Sequence, residues 1–242
     1  KGKGVYLPKN INSGVEFINS LFETYDNTSI LIEEQLIGTE VSVMGFCNGN
    51  NISLMPQAQD FKRIYDNDIG LNTGGMGSIC PVNILNNEEI KKIKKYMEII
   101  VQELNYVGVL YAGIMKTKNG PYILEFNCRF GDPEAQVILS LLLTPLYDII
   151  TSCLKNKKII DIKWSNKFAA NVVSSHIDYP TSKLNIPVKV NISKNIDNNI
   201  KLYHSNIQKN QVCGQYTTTG GRVLSVVSVD NSLYKALQNV YN

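Results

Sequence analysis

Glu125, Asn127 and Arg129 recur at every second position within Pro121-Tyr-Ile-Leu-Glu-Phe-Asn-Cys-Arg-Phe-Gly-Asp-Pro-Glu134. A β-strand turns successive side chains to opposite faces, so this spacing groups Ile123, Glu125, Asn127 and Arg129 on one face. Tyr122, Leu124, Phe126 and Cys128 share the other, which is expected to be core. A carboxylate and an amide two residues apart offer neighbouring oxygens to one hard cation, an arrangement suited to Mg²⁺ that keeps water and binds substrate phosphates. Arg129 continues that face with a permanent charge. A hairpin strand with a solvated polar face is the competing reading. The strand is expected to end at Gly131, with Asp132 as N-cap and Pro133 at the first helical position.

Three further segments carry candidate chemistry. Lys1-Gly-Lys-Gly-Val5 has lysines and backbone N–H groups able to close over phosphates, or is a plain turn. Glu33-Glu-Gln-Leu36 with Glu40 offers a strand-exit backbone for an adenine edge and a carboxylate for ribose hydroxyls, or exposed glutamates at a strand end. Gln59-Asp-Phe-Lys-Arg63 runs through Asp66 and Asp68 to Gly70-Leu-Asn-Thr-Gly-Gly-Met-Gly77. Its lysine, arginine and close-approach glycines suit bound anions, and a mobile surface loop is the alternative.

The elements that must position these residues follow from periodicity. Ser13-Gly-Val-Glu16 fits a capping box opening a helix to about Tyr25. Ile30–Ile32 reads as a short buried strand. Residues 41–46 alternate toward a turn at Asn48-Gly49, and residues 52–58 return antiparallel. Regular patterning stops between Asp60 and Pro81, a length of loop that is usually functional. Residues 88–104 form an amphipathic helix with Ile90, Ile93, Met97, Ile100, Val101 and Leu104 inward. Residues 107–117 are a strand that turns at Asn119-Gly120 into the opening stretch. Thr144-Pro145 caps a helix with Leu146, Ile149, Ile150, Cys153 and Leu154 inward, and residues 156–166 read as a polar linker. Short strands near 168–176, 188–192, 201–204 and 222–228, with a helix from about Ser232, read as a small second domain.

The 242 residues, 43% of them hydrophobic, are enough for a sizeable core. A net charge of +3, evenly spread, gives no expectation of a nucleic-acid partner. Five cysteines without C-x-x-C spacing argue against a disulfide framework or zinc site and point to a reducing compartment, taken as the cytoplasm. No apolar run is long enough to span a bilayer, so no membrane partner is expected. The chain starts without Met and within a glycine-rich stretch, and is read as a fragment.

The order of these motifs resembles the glycinamide ribonucleotide synthetase (phosphoribosylamine–glycine ligase) family of the ATP-grasp superfamily. The resemblance covers nearly the whole chain: Gly2–Val5, Ile32–Glu34, Gln59-Asp60, Lys62-Arg63, Asn72–Gly77, Leu110–Gly113, Glu125–Glu134 and Thr219–Leu224. The family commonly has Phe at Gln35, His at Phe61 and Pro at Leu71. The resemblance implies an α+β fold with partial ATP-grasp lid and hinge over residues 1–36, ATP-grasp core over 37–160 and a small mixed α/β carboxyl-terminal domain over 161–242, truncated at its end.

It further implies ATP held by Lys3, Gly4, the hinge Glu33, Glu34, Gln35 and Leu36, with Glu40 on ribose and Arg63 and Asn72 near the phosphates. Glu125 and Asn127 match the family's Mg²⁺ (or Mn²⁺) ligands. Met115 and Lys116 stand where other ATP-grasp enzymes often carry a further acidic ligand. Arg129 and Lys62 are the expected catalytic cations, and Asp60, Thr73, Gly74, Gly75 and Asp132 the substrate side. His176 and His204 are expected to serve the fold.

The implied reaction joins glycine to 5-phosphoribosylamine through glycyl phosphate in purine synthesis. Another ATP-grasp carboxylate–amine ligase and a non-catalytic nucleotide-binding module are the alternatives. The family's amino-terminal domain is absent, so the chain alone is expected to bind nucleotide weakly and turn over little.

Overall fold

The computed structural model describes residues 5–25, 29–155, 158–181, 186–193, 196–211 and 214–242. In chain order it runs α1 (Ile11–Thr24), β1 (Thr39–Asn48), β2 (Ile52–Leu54), β3 (Gln59–Asp60), β4 (Arg63–Tyr65), β5 (Ile69–Asn72), β6 (Gly77–Cys80), α2 (Asn87–Glu103), β7 (Val107–Thr117) and β8 (Gly120–Asn127). There follow α3 (Glu134–Ile138), α4 (Leu146–Leu154), β9 (Phe168–Ser175), β10 (Lys189–Val190), β11 (Ile200–His204), β12 (Ile207–Lys209), β13 (Tyr216–Thr218), β14 (Arg222–Asp230) and α5 (Leu233–Tyr241). No described helix is long and apolar enough to cross a membrane.

One antiparallel sheet, ordered β2-β1-β7-β8, is covered on both faces, and that explains the near-continuous burial of β1 from Val41 to Asn48. On one face Val41 and Val43 meet Ile93, Met97 and Val101 of α2. On the other, Met44 and Phe46 pack with Val137, Ile138, Ile149 and Cys153 of α3 and α4. Asn86 caps α2 in a reciprocal box with Glu89, and Leu104, expected inward, is 70% exposed as the C-cap residue. In α4, Ile149 and Cys153 are buried, whereas Ile150 and Leu154 are exposed.

A second sheet, ordered β11-β14-β9-β6-β3, joins segments far apart in sequence. The span between Asp60 and Pro81, expected to lack regular structure, supplies β3 and β6 to this sheet and the hairpin β4–β5. The ladder β6–β9 therefore crosses the expected boundary at 160, and α5 packs Ala236 and Val240 against Ala170, with Ile79, Val172 and Val226 around them. The stretch read as a linker is also tied down. Trp164 bridges Leu142, Ser165 N–H donates to the Leu141 carbonyl, and Ile159 and Ile162 reach the core.

The amino-terminal elements differ from expectation as well. The N-cap of α1 is Asn10, and Ser13 sits at N3, returning its hydroxyl to the cap. Residues 30–32 form no strand, and Leu31 and Ile32 are each 79% exposed.

Candidate functional site

Antiparallel partners share a sheet face, so the register of β1, β7 and β8 decides which side chains meet. Glu40 pairs with Met115, Ser42 with Gly113 and Met44 with Tyr111, while Gly113 pairs with Glu125 and Tyr111 with Asn127. Glu40, Ser42, Tyr111, Glu125 and Asn127 thus stand on one face. The expected grouping of Ile123 with Glu125 is corrected: a bulge leaves Leu124 unpaired, because Gly113 opposes Glu125 and Ile114 opposes Ile123. Ile123 turns to the α2 side with Ile114. The apolar set expected as core is not buried either. Tyr122, Leu124 and Phe126 are 40–43% exposed and Cys128 is exposed, since β8 is an edge strand.

Over this face β3 and the residues after it bring Asp60 and Lys62. The Lys62 ammonium lies 2.5 Å from Glu40 Oε2 and is also within the fields of Asp60 and Glu125. Burial acts to lower its pKa, but the Glu40 carboxylate, by charge and hydrogen bond, leads the opposing influences and the net shift is upward. Asp60 is pushed up to about 8, first by burial and then by the charge of Glu134, with Lys62 pulling the other way. Its Oδ1 is buried with no hydrogen-bond partner, consistent with a carboxyl group that resists ionising. Glu40, Ser42, Asp60, Lys62 and Tyr111 line a small cleft.

Behind the cleft is a buried network that sequence reasoning missed. Ser42 Oγ donates to Glu134 Oε1 at 2.7 Å and lies 3.0 Å from the Tyr111 hydroxyl. Burial, then the charge of Glu134, pushes the Tyr111 phenol up. Ser42 was the available signal, being a hydroxyl at a core-facing position between Val41 and Val43. Glu134 opens α3, whose N-cap position is Pro133 rather than Asp132. The expected cap fails because the Asp132 carboxylate is engaged elsewhere: Oδ2 is 2.5 Å from Arg222 and Oδ1 accepts from Gln136.

At the end of β8, Asn127 Nδ2 donates to Glu125 Oε1 at 3.0 Å, and Arg129 donates to Asn127 Oδ1 at 3.3 Å and to the Phe130 carbonyl at 2.8 Å. The Glu125–Asn127 pair presents two hard oxygens at one end of a strand, which fits a small divalent cation that completes its shell with water and phosphate oxygens. Among the described residues, no group of three His, Cys, Asp or Glu side chains converges to hold a metal. Lys116 points away, pairing with Glu89 of α2 on the opposite face.

Thr73 belongs to the cluster, since its N–H and hydroxyl both donate to the Lys62 carbonyl at 2.8 Å. Gly75 lies against Pro133 and Asp60, and Gly74 against Tyr179 and Arg222. Arg63 and Asn72 are register partners in the β4–β5 hairpin, where Arg63 donates to the Gly70 carbonyl. Glu33, Glu34 and Gln35 are exposed coil and Leu36 is half-buried coil before β1, and Lys3 and Gly4 lie outside the described residues. His176 is buried, within 3.2 Å of the Ile186 carbonyl, and His204 packs edge-on against Tyr216.

Gly75 has φ +108°, and a Cβ there would lie 2.3 Å from Pro133 Cδ and 2.6 Å from Asp60 Oδ1. Gly75→Ala is expected to cost about 3 kcal/mol through strain plus overpacking. Gly120, at φ +115° with nothing within 4 Å of the added carbon, is the control for strain alone. Urea denaturation of both alanine variants checks this, and equal losses would remove the close approach from the argument.

Comparison with known proteins agrees with this architecture. Residues 1–135 match the family described as phosphoribosylglycinamide synthetase, ATP-grasp (A) domain. The trifunctional purine biosynthetic protein adenosine-3 of Chironomus tentans is 38% identical over 250 residues, spanning 97% of this chain and 18% of that protein. The phosphoribosylamine–glycine ligase of Caldanaerobacter subterraneus subsp. tengcongensis is 34% identical over 252 residues, spanning 100% of this chain and 60% of the relative. The crystal structure of phosphoribosylamine–glycine ligase from Thermotoga maritima superposes with a TM-score of 0.86 at 29% identity, over 99% of this chain and 61% of the other.

Proposed function

Because the chain belongs to the phosphoribosylglycinamide synthetase family through its ATP-grasp domain, we propose that it carries the ATP-dependent ligation of glycine to 5-phosphoribosylamine. The observation that carries this reading is the convergence of Lys62 with Glu40, Asp60 and Glu125 on one sheet face, beside Asn127 and Arg129. In the proposed reaction a glycine carboxylate oxygen takes the γ-phosphoryl group of ATP, giving glycyl phosphate and ADP. The amine of phosphoribosylamine then attacks the carbonyl carbon; the C–N bond forms, the bond to the phosphate oxygen breaks, and the amine loses a proton.

The first step brings one anion onto another, so offsetting charge is the main physical demand. Glu125 and Asn127 would hold Mg²⁺ or Mn²⁺, which when bound neutralises phosphate charge and polarises the phosphoryl group. Arg129 offers a planar fork to the glycine carboxylate and acyl phosphate, and Lys62 a point charge over the transferring group. Thr73, Gly74, Gly75, Asp60 and Asp132 bound the substrate side. Glu33, Glu34, Gln35 and Leu36 serve the adenine, Glu40 the ribose, and Arg63 and Asn72 the phosphates. The four described cysteines are free, which fits the reducing cytoplasm as the place of the reaction.

Phosphate release from ATP by the full-length protein, with glycine compared against bicarbonate and formate, tests the assignment. Stimulation by glycine and phosphoribosylamine together is expected. Stimulation by either other acid instead would transfer the site to a different acid substrate. Glu125→Gln keeps the shape of the side chain but removes its charge, and should raise the Mg²⁺ concentration for half-maximal turnover roughly tenfold, equivalent to about 1.4 kcal/mol. An unchanged Mg²⁺ dependence would take Glu125 out of the metal site.

A further inference from the structure

The loop that carries Thr73, Gly74 and Gly75 is held from two sides, and on one of them by two side chains, Tyr179 and Arg222, that have no assigned part in the reaction. On one side Gly75 lies against Pro133 and Asp60. On the other stand Tyr179 and Arg222, both from beyond residue 160. The Gly74 N–H donates to the Tyr179 hydroxyl at 2.7 Å across 105 residues of sequence. Arg222 Nη1 donates to the carbonyls of Gly74 at 2.7 Å, Asp132 at 3.1 Å and Gly75 at 3.4 Å, and Nη2 meets Asp132 Oδ2 at 2.5 Å.

An anchor for the sheet alone would not need this arrangement. Arg222 opens β14, whose backbone already pairs with β9 and β11. Its guanidinium instead leaves the sheet and spends its fork on the turn before α3 and on the glycine loop. The side chain is only 15% exposed, so these charge-assisted bonds work in a partly desolvated setting where they are strongest. Tyr179 is set by the same region. Its own N–H donates to the His176 carbonyl, and the His176 N–H donates to the Gly221 carbonyl, one residue before Arg222. Loop, helix start and carboxyl-terminal strands are therefore one hydrogen-bonded unit.

We infer that Tyr179 and Arg222 are positioning residues that fix the Thr73–Gly75 loop and Asp132 for the acid substrate. The inference rests on the reading of that loop as the substrate side. It makes the carboxyl-terminal strands part of substrate selection rather than an appendage to the nucleotide-binding portion. Neither residue touches the reacting atoms; they act through the loop backbone and the Asp132 carboxylate. A lysine at 222 keeps the charge but cannot reach three carbonyls and a carboxylate at once.

The test uses Tyr179→Phe, which deletes one hydroxyl, and Arg222→Lys. Hydrogen exchange is followed at the amides of Gly75 and Met76, which bond to Thr73 and Phe61 and not to either altered side chain. Loss of one such hydrogen bond should speed their exchange by about fivefold, while the β9–β14 ladder stays unchanged. Titrations with glycine and with ADP plus Mg²⁺ should show glycine affinity weakened by about fivefold and nucleotide affinity unchanged.

Uniform acceleration through β9 and β14, unchanged exchange at Gly75 and Met76, or equal weakening of both ligands would overturn the inference. Should the unaltered protein fail to bind glycine, the proposed function falls. The exchange pattern then decides by itself whether the clamp holds the loop.

Discussion

Lys62→Met is expected to lower glycine-dependent ATP cleavage by about 10²–10³-fold, the loss typical of removing one preorganised stabiliser of transition-state charge. Lys62 is the cation at the meeting point of Glu40, Asp60 and Glu125. Methionine is unbranched and flexible like lysine and only one atom shorter, so packing is nearly kept while the charge is removed. The cost in stability should be small, because both partners of the Lys62–Glu40 pair are more than a third exposed and solvent-screened pairs contribute only about 0–1 kcal/mol. Activity and stability should therefore separate. Phosphate release on the full-length protein and thermal unfolding of the same variant read the two effects. A variant that keeps a sizeable share of its turnover would show that Lys62 orders the carboxylates without acting on the phosphoryl group.

Glu134→Ala should have the opposite profile, a large loss of stability. The Glu134 side chain is almost fully buried, folds back over Gly131, and accepts from Ser42, which in turn meets Tyr111. Truncation removes the acceptor of the Ser42 hydroxyl, leaves the Ser42–Tyr111 pair one partner short and opens a cavity, and a buried group left unsatisfied costs about 1–3 kcal/mol. One term runs the other way: Glu134 raises the pKa of Asp60, and its removal relieves that repulsion. The hydrogen-bond and cavity losses are larger, so a net loss of about 3 kcal/mol is expected. Glu134→Gln keeps shape and acceptor while removing the charge, and should lose about 1 kcal/mol or less. Chemical denaturation of both variants decides. If glutamine costs as much as alanine, charge rather than shape and acceptance is what the site requires.

These two residues also mark what could be read from the sequence. That Lys62, Glu125 and Asn127 would lie near one another was legible because their chemistry is concentrated in short motifs. Helix α2 and the β7–β8 hairpin were legible because apolar period and turn residues agree locally. Glu134 lay within a quoted motif, but its role depends on Ser42, 92 residues away, and on Tyr111, 69 residues from Ser42. No local spacing encodes that. The faces of β8 were misassigned before Leu124, at Tyr122 and Ile123, because a bulge is a property of two strands together. Strands β3 and β6 were missed for a related reason. They are two and four residues long; β3 pairs with β6, and β6 with β9, whose Asn171 lies 93 residues from Ser78.

The sheet that unites β3, β6, β9 and β14 also orders events on the ribosome. A nascent chain synthesised only as far as α4 has β7 and β8 to complete the first sheet. It has nothing to pair with β6 on the side that β9 will occupy, and no Arg222 to draw Asp132 toward Gly74. Contacts of such sequence separation form late and slowly. The Thr73–Gly75 loop therefore gains its bonds to Tyr179 and Arg222 only after the last third of the chain has been translated.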